Sequence, residues 1–320
     1  MSPHGHGTHN SAVSAGRRLR ELLASGRLVT APGVYDGLGA HLVARCGFPT
    51  AYLTGAGVAV AGYGLPDIGL LTATEMVERA RIVADALGEV PLIADADTGY
   101  GEAVHVVRTV RAYERAGVAA IQLEDQAFPK KCGHLPDKEL VDARAFEAKL
   151  HAALDARTDP DTVIVARTDA RGPLGIAEAI DRAGRYAAAG ADVVFVEAPQ
   201  TLEEIEKIAA QVDAPLLINM VQGGLTPDTA PDTLAALGYR IAIHPGALLG
   251  PAVLAGFDSL KRLGGTLPAG LTPGPQGLFE LVGLREWAAV GERYREHSDR
   301  SDRSDRSVQS DRSDHGKDGA

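Results

Sequence analysis

The chain has 320 residues, 45% of them hydrophobic, enough to bury one barrel-sized core or the cores of two smaller domains. A formal net charge of −10, with no Lys/Arg-rich run, excludes the basic surface that a nucleic-acid partner needs. No apolar run reaches the roughly 20 residues that cross a bilayer, and the first residues lack the apolar segment of a secretory signal, so a soluble, cytoplasmic protein without a membrane partner is expected.

Both ends are expected to stand outside the fold. Residues 1–15 are read as a flexible His/Gly-rich terminus, in which His4, His6 and His9 are solvated rather than metal-bound. Residues 298–320 repeat Ser-Asp-Arg with almost no apolar side chain and can bury nothing. Between them, over 16–295, short β-branched runs alternate with longer stretches of helical periodicity. The expected strands, in chain order, are 28–32, 50–53, 91–94, 119–123, 162–166, 192–196, 215–218 and 239–243. Expected helices include 74–87, 102–116, 143–156 and 175–189, several of them stopped by a glycine such as Gly88, Gly117 or Gly190. Parallel strands joined by crossover helices make this an α/β fold, a (β/α)8 barrel of TIM type; an open doubly wound sheet would carry a Gly-rich phosphate turn after its first strand, and none is there. A further apolar helix, 275–293, carries Leu278, Phe279, Leu281, Val282, Leu284 and Trp287. A closed barrel leaves it nothing to cover, so it is expected to lie on another subunit.

In such a barrel the chemistry sits at the C-terminal ends of the strands. The run Ala94-Asp95-Ala96-Asp97-Thr98-Gly99-Tyr100-Gly101 places two carboxylates at a strand end beside a glycine turn, and Glu124 ends the next strand. An Asp-x-Asp pair alone serves as well in a cap or turn. A third carboxylate at the same mouth adds repulsion that a cation resolves, and hard oxygen donors suit Mg2+. Beyond Glu124 lies Lys130-Lys131-Cys132-Gly133-His134, where a thiol beside two lysines and an imidazole is expected to have a lowered pKa and to exchange protons near neutrality. The competing reading is a surface loop with an incidental cysteine. Cys46 follows the helical pattern of Leu38, Leu42 and Val43 and is expected in the core. Arg167, ending the fifth strand, has the fork to clamp a substrate carboxylate or to make a structural salt bridge. Thr54-Gly55-Ala56-Gly57 offers backbone N–H groups to an anionic oxygen, or is simply a glycine turn. Glu197, Asn219 and His244 stand at further strand ends, the last read as an ordinary satisfied histidine.

Six motifs in this order, Tyr52-Leu53-Thr54-Gly55, Gly64-Leu65-Pro66-Asp67, Asp95 to Gly101, Glu124-Asp125-Gln126, Lys131-Cys132-Gly133-His134 and Ala166-Arg167-Thr168-Asp169-Ala170, resemble the isocitrate lyase and phosphoenolpyruvate mutase superfamily. The resemblance implies Mg2+, with Mn2+ as the alternative ion, held partly through water by Asp67, Asp95, Asp97 and Glu124. It also implies a small carboxylate substrate and a homotetramer whose subunits exchange the C-terminal helix. The Lys-Cys-Gly-His loop is similar to the lyase branch, which cleaves a C–C bond in 2-hydroxy di- or tricarboxylates such as dimethylmalate or methylisocitrate. Carboxyphosphonoenolpyruvate mutases also carry a Cys-Gly-His-Leu run, and an enzyme acting on oxaloacetate needs only the same enolate site. Leu135 and the run Asn219-Met220-Val221-Gln222-Gly223-Gly224 depart from the methylisocitrate lyase pattern, which counts against a tricarboxylate. In the lyase reading Cys132, with Lys130 beside it, protonates the carbanion left by cleavage, and Tyr52 assists removal of the hydroxyl proton. Thr54, Gly55 and Ala56 hold the oxo acid, Gly133, Arg167 and Asn219 hold the departing carboxylate, and His134 and Glu197 orient the loop.

Overall fold

The computed structural model describes residues 13–266 and 274–294. The expected flexible start up to residue 12, with His4, His6 and His9, and the Ser-Asp-Arg repeat lie outside the described residues. Eight parallel strands close into one barrel in chain order: β1 Val29–Val34, β2 Ala51–Leu53, β3 Leu92–Asp95, β4 Ala120–Glu124, β5 Val163–Thr168, β6 Val193–Val196, β7 Leu216–Asn219 and β8 Tyr239–His244. The ring closes where β8 pairs with β1, from Val29↔Ile241 to Pro32↔His244. Most strands end one or two residues later than apolar patterning marks them, because polar residues stay in the ladder: Glu124 pairs with Arg167, and Asn219 with Ile243.

Both faces of these strands are buried, which is why they read as continuous apolar runs. One set of side chains, among them Ala31, Ile93, Ala120, Val165, Phe195, Leu217 and Ile243, fills the barrel interior. The alternate set, including Leu53, Ala94, Ile121, Ile164 and Val194, meets the helices through Met76, Val110, Tyr113, Phe146 and Tyr186.

The helix Ala15–Ala24, capped by Ser14 accepting from the Arg17 amide, contributes fully buried Leu19 to the interior cluster, with Leu22 and Leu23 packed against it. Arg20 ties it down by donating to the Asp161 carbonyl at 2.9 Å and the Asp192 carboxylate at 2.9 Å. Gly16 is the close contact: a Cβ there would lie 2.5 Å from the Asp161 carbonyl oxygen and 2.8 Å from the Thr162 nitrogen. Those are backbone atoms that cannot swing aside. Gly16→Ala is therefore expected to lower stability by about 1–3 kcal/mol, despite alanine's better helix propensity. A urea midpoint equal to or above that of the parent would contradict this packing.

The expected continuous helix at 275–293 is broken. Pro275–Glu280 is helical, Gly283 turns the chain at φ +83°, and residues 284–294 are helical again. Phe279 is buried at 2% exposure and lines the mouth of its own barrel, whereas Trp287 and Val290 remain exposed. The preceding helix, Leu249–Arg262, buries only Leu249. An apolar surface thus stays open at this end, and exchange of the helix between subunits stands as a proposal. Among the described residues, no helix is long and apolar enough to cross a membrane.

Candidate active site

Strand pleating carries the interior column of side chains directly into the site. Because residues two apart share a face, Ile93 leads to Asp95, Ala120 to Gln122 and Glu124, Val165 to Arg167, Phe195 to Glu197 and Leu217 to Asn219. A cavity of about 620 Å³ opens at this end of the barrel. Tyr52, Thr54, Ala56, Asp67, Asp95, Lys130, Cys132, Gly133, His134, Arg167, Glu197 and Asn219 all line it. Gly55, Asp97 and Glu124 do not; Gly55 and Asp97 instead face a small adjoining space that Asp67 shares, and Glu124 is buried under Arg167. His244 lies apart, in a second cavity with Cys46.

The acidic cluster is built around a strained turn. Asp97 has φ 47° and Tyr100 φ 60°, a left-handed conformation uncommon outside glycine and held here by the surrounding structure. The Asp97 amide donates to Asp95 Oδ1 at 3.1 Å, and Gln122 Nε2 donates to the same oxygen at 3.3 Å. Lys130 Nζ donates to Asp67 Oδ1 and lies 2.7 Å from Asp97 Oδ1. Burial pushes the Asp97 carboxyl up to about 6 against the opposing pull of Lys130, and pushes Glu124 well above the usual carboxylate range against Arg167. Burial alone would depress Lys130, but the facing Asp67 and Asp97 carboxylates hold its ammonium well above the ordinary value.

Do these residues fit Mg2+? Among the described residues, no three His, Cys, Asp or Glu side chains converge into a complete chelate. Asp97 Oδ1 and Glu124 Oε2 are nevertheless buried without an aligned hydrogen-bond donor, even though Lys130 and Arg167 stand close as ion-pair partners. Mg2+ prefers one or two carboxylates plus water and substrate oxygens to an all-protein cage, and hard oxygens with unfilled lone pairs meet that demand. The donor set therefore fits the ion, as a water-rich site.

Beside the cluster, Thr54 caps a short helix, Gly55–Gly57, by accepting from the Gly57 amide at 3.2 Å. A Cβ on Gly55 would sit 2.7 Å from Asp95 Oδ2, so only glycine brings this backbone so near the carboxylate. First-turn amides lack intrahelical acceptors and are available to an anion. The Tyr52 hydroxyl donates to Gln122 Oε1 at 3.3 Å, and burial together with the Asp95 charge keeps it protonated. That state suits a hydrogen-bond donor, one way in which Tyr52 can assist loss of the hydroxyl proton as expected from sequence.

The thiol loop lines the same cavity. The Cys132 amide donates to the Asp67 carbonyl at 3.0 Å. His134 Nδ1 accepts from the Leu225 amide at 3.1 Å, which leaves the neutral ring's proton on Nε2, 3.7 Å from Glu197 Oε1. Burial lowers the His134 pKa and favours that neutral form. Asn219 Nδ2 donates to Glu197 Oε2 at 3.1 Å. Arg167 makes a bidentate pair with Asp169 at 2.8 and 3.0 Å and also stands 3.3 Å from both Glu124 Oε2 and Glu197 Oε2. It is thus committed to carboxylates of the protein while still facing the cavity.

Two cysteine expectations are corrected. The Cys132 thiol is not made acidic: burial first, then the Asp67 carboxylate, push it up to about 12. Adjacency in sequence misleads here, since Lys130 is spent on Asp67 and Asp97, and Lys131 Nζ turns outward to the Asp137 carbonyl at 2.8 Å. Cys46 is exposed rather than in the core, because its helix turns Gly39, Ala40 and Val43 inward and leaves Leu38 70% exposed. Iodoacetamide at neutral pH is accordingly expected to modify Cys46 first and Cys132 at least about tenfold more slowly. Faster labelling of Cys132, read by peptide mapping, would contradict the half-buried, neutral thiol.

Sequence reasoning missed Gln122 and Lys138 and gave Gln126 no role. Gln122 shares the interior face with Glu124, a signal that the period of two carries. Gln126, which the Glu124-Asp125-Gln126 motif includes without a role, bridges Glu124 Oε1 at 2.9 Å and the Lys131 carbonyl at 2.8 Å.

The closed parallel barrel, with polar groups gathered at its C-terminal mouth, defines a TIM-type α/β barrel enzyme. The phosphoenolpyruvate phosphomutase family model matches residues 19–262, and the chain belongs to the phosphoenolpyruvate mutase and isocitrate lyase superfamily. It is 48% identical over 246 residues to 2,3-dimethylmalate lyase of Eubacterium barkeri, covering 77% of this chain and 85% of that protein. It is 47% identical to 2-methylisocitrate lyase of Aeropyrum pernix, over 77% of this chain and 78% of the relative. Among solved structures, oxaloacetate acetylhydrolase in complex with 3,3-difluorooxalacetate is similar at TM-score 0.76 and 37% identity, covering 88% of this chain and 97% of that one. Phosphonopyruvate hydrolase in complex with oxalate and Mg2+ is similar at TM-score 0.68 and 34% identity, covering 88% and 99%.

Proposed function

We propose that this enzyme is a Mg2+-dependent C–C lyase that cleaves a 2-hydroxy di- or tricarboxylate, 2,3-dimethylmalate foremost, into a 2-oxo acid and a carboxylate. The observation that carries this reading is the Cys132 thiol: it lines the cavity with Asp95 and Thr54 and is held in its protonated form. A proton donor opposite an anion-binding face is what a retro-aldol cleavage needs, because the departing carboxylate leaves as a carbanion. When bound at Asp67, Asp95, Asp97 and Glu124, Mg2+, or Mn2+ in its place, would neutralise negative charge developing on the oxo acid.

The chain's own groups divide the remaining work. The Gly55 and Ala56 amides, at the start of a helix capped by Thr54, would receive the oxo-acid oxygens. Loss of the substrate's hydroxyl proton releases electrons that form the oxo C=O bond and break the adjacent C–C bond. The pair left on the departing fragment takes the Cys132 proton, and the thiolate is reprotonated before the next turnover. Arg167, Gly133 and Asn219 would grip that fragment's carboxylate, while Glu197 and His134 hold the loop in register. Tyr52, donating through its hydroxyl, would stabilise the substrate alkoxide rather than remove its proton. A homotetramer with exchanged C-terminal helices would cover the open apolar surface of Leu249–Arg262 and 284–294.

The likeness to oxaloacetate acetylhydrolase favours a second reading, hydrolysis of oxaloacetate at the same site. A purified enzyme offered 2,3-dimethylmalate, methylisocitrate, citramalate, oxaloacetate and phosphonopyruvate with Mg2+ separates the two. Release of a 2-oxo acid from a hydroxy acid is expected; turnover of oxaloacetate alone would transfer the assignment to the hydrolase.

A further inference from the structure

We propose that Lys138 is a positioning residue: its buried ammonium fastens the Cys132-Gly133-His134 turn to the Arg167–Asp169 pair and thereby holds the thiol over the cavity. The functional meaning rests on the lyase reading above, but the fastening itself is independent of it. Lys138 is only 8% exposed, rare for lysine unless its charge is met. Its Nζ donates to Asp169 Oδ1 at 2.9 Å and to the Gly133 carbonyl oxygen.

Only one end of this link is anchored in the barrel. Asp169 is anchored in the barrel: its amide donates to Asp125 Oδ1 at 2.9 Å, and its carboxylate accepts both arms of the Arg167 fork. Burial would raise the Asp169 carboxyl, but Arg167 and Lys138 hold it below the usual range. Gly133, by contrast, belongs to the loop, and its carbonyl directly follows the thiol residue. A Cβ at Gly133 would lie 2.5 Å from both Arg167 Nη2 and Glu197 Cγ, so the turn is already pressed against the groups it serves. If the turn lifts to admit substrate, Asp169 keeps Arg167 while Lys138 loses its carbonyl acceptor inside the protein. A buried ammonium short of acceptors is unfavourable, so Lys138 biases the turn toward the closed position. Other ties hold the loop at other points: the Cys132 amide on the Asp67 carbonyl at 3.0 Å, Gln126 on the Lys131 backbone, Lys130 on the acidic cluster and His134 on the Leu225 amide, whereas Lys138 takes the Gly133 carbonyl.

Thiol accessibility tests this without any substrate. In full-length enzyme with Mg2+, Lys138→Met keeps the length of the side chain and removes the ammonium. Labelling of Cys132 by iodoacetamide is expected to rise about tenfold or more, with exposed Cys46 as an unchanged internal reference. On whichever hydroxy acid is cleaved, kcat should fall by a similar factor with a smaller change in KM, and Lys138→Arg should recover part of both effects. Cys132 labelling that stays at the parent rate in a folded Lys138→Met would overturn the proposal, as would lost activity accompanied only by a lower melting temperature. If that variant does not fold, Lys138→Gln, which keeps a neutral donor of similar reach, carries the same comparison. Increased labelling in an enzyme that cleaves no hydroxy acid would leave the fastening intact and remove the lyase reading; cleavage with unaltered labelling would do the reverse.

Discussion

Cys132→Ser is expected to lower C–C cleavage by about 10²–10⁴-fold while leaving binding of a 2-oxo acid nearly unchanged. The reasoning runs through acidity rather than nucleophilicity. Burial and the Asp67 carboxylate hold this thiol protonated, with a pKa pushed up to about 12, so it arrives at the reaction as an acid. Serine fills nearly the same space and keeps the backbone ties, including the Cys132 amide to the Asp67 carbonyl, but its hydroxyl is a far weaker acid. Binding and chemistry should therefore separate. Isothermal titration with oxalate or pyruvate, alongside turnover, reads the two parts. A serine variant with near-normal cleavage would mean that the proton comes from elsewhere.

Asp97→Ala is expected to reduce turnover by about 10²-fold or more, and chelation of the parent enzyme should do the same. The variant removes one of the two buried carboxylate oxygens left without an aligned donor. Lys130 retains its partner Asp67, so the cluster is not left with an unpaired buried ammonium, and the unfolding midpoint should move little. The two losses differ in reversibility. Added Mg2+ should restore the chelated parent fully and the variant only at much higher concentration. Full activity of the parent in metal-free buffer would remove the ion from the reaction.

The barrel was legible because its strands are buried on both faces and so appear as apolar runs of strand length between helical stretches. The strand ends were shorter than the structure makes them, since Glu124, Arg167 and Asn219 pair in the ladder yet look like loop residues. The apolar pattern through 275–293 carried no sign that the chain would turn at Gly283. Most of the expected site residues meet at one cavity, and for Asp95, Arg167, Glu197 and Asn219 this follows from the strand ends, where two-residue alternation continues the interior column. What could not be read was where long side chains go. Lys130 and Lys131 directly precede the thiol in sequence, but one ammonium is drawn to a pair of buried carboxylates and the other outward to the Asp137 carbonyl. The inferred acidity of Cys132 failed first because desolvation disfavours the thiolate and then because those charges are directed elsewhere, and Lys138 escaped notice because its partners, Gly133 and Asp169, lie 5 and 31 positions away.

The proposed reaction is tested most directly by incubating the enzyme with Mg2+ and 2,3-dimethylmalate in D2O and analysing the products by mass spectrometry. Cleavage between C2 and C3 should give pyruvate and propionate in equal amounts, the propionate carrying a single solvent-derived deuterium at C2 delivered from the exchanged Cys132 thiol. No 2-oxo acid from this or any other 2-hydroxy acid, with oxalate and acetate formed from oxaloacetate instead, would contradict the lyase assignment.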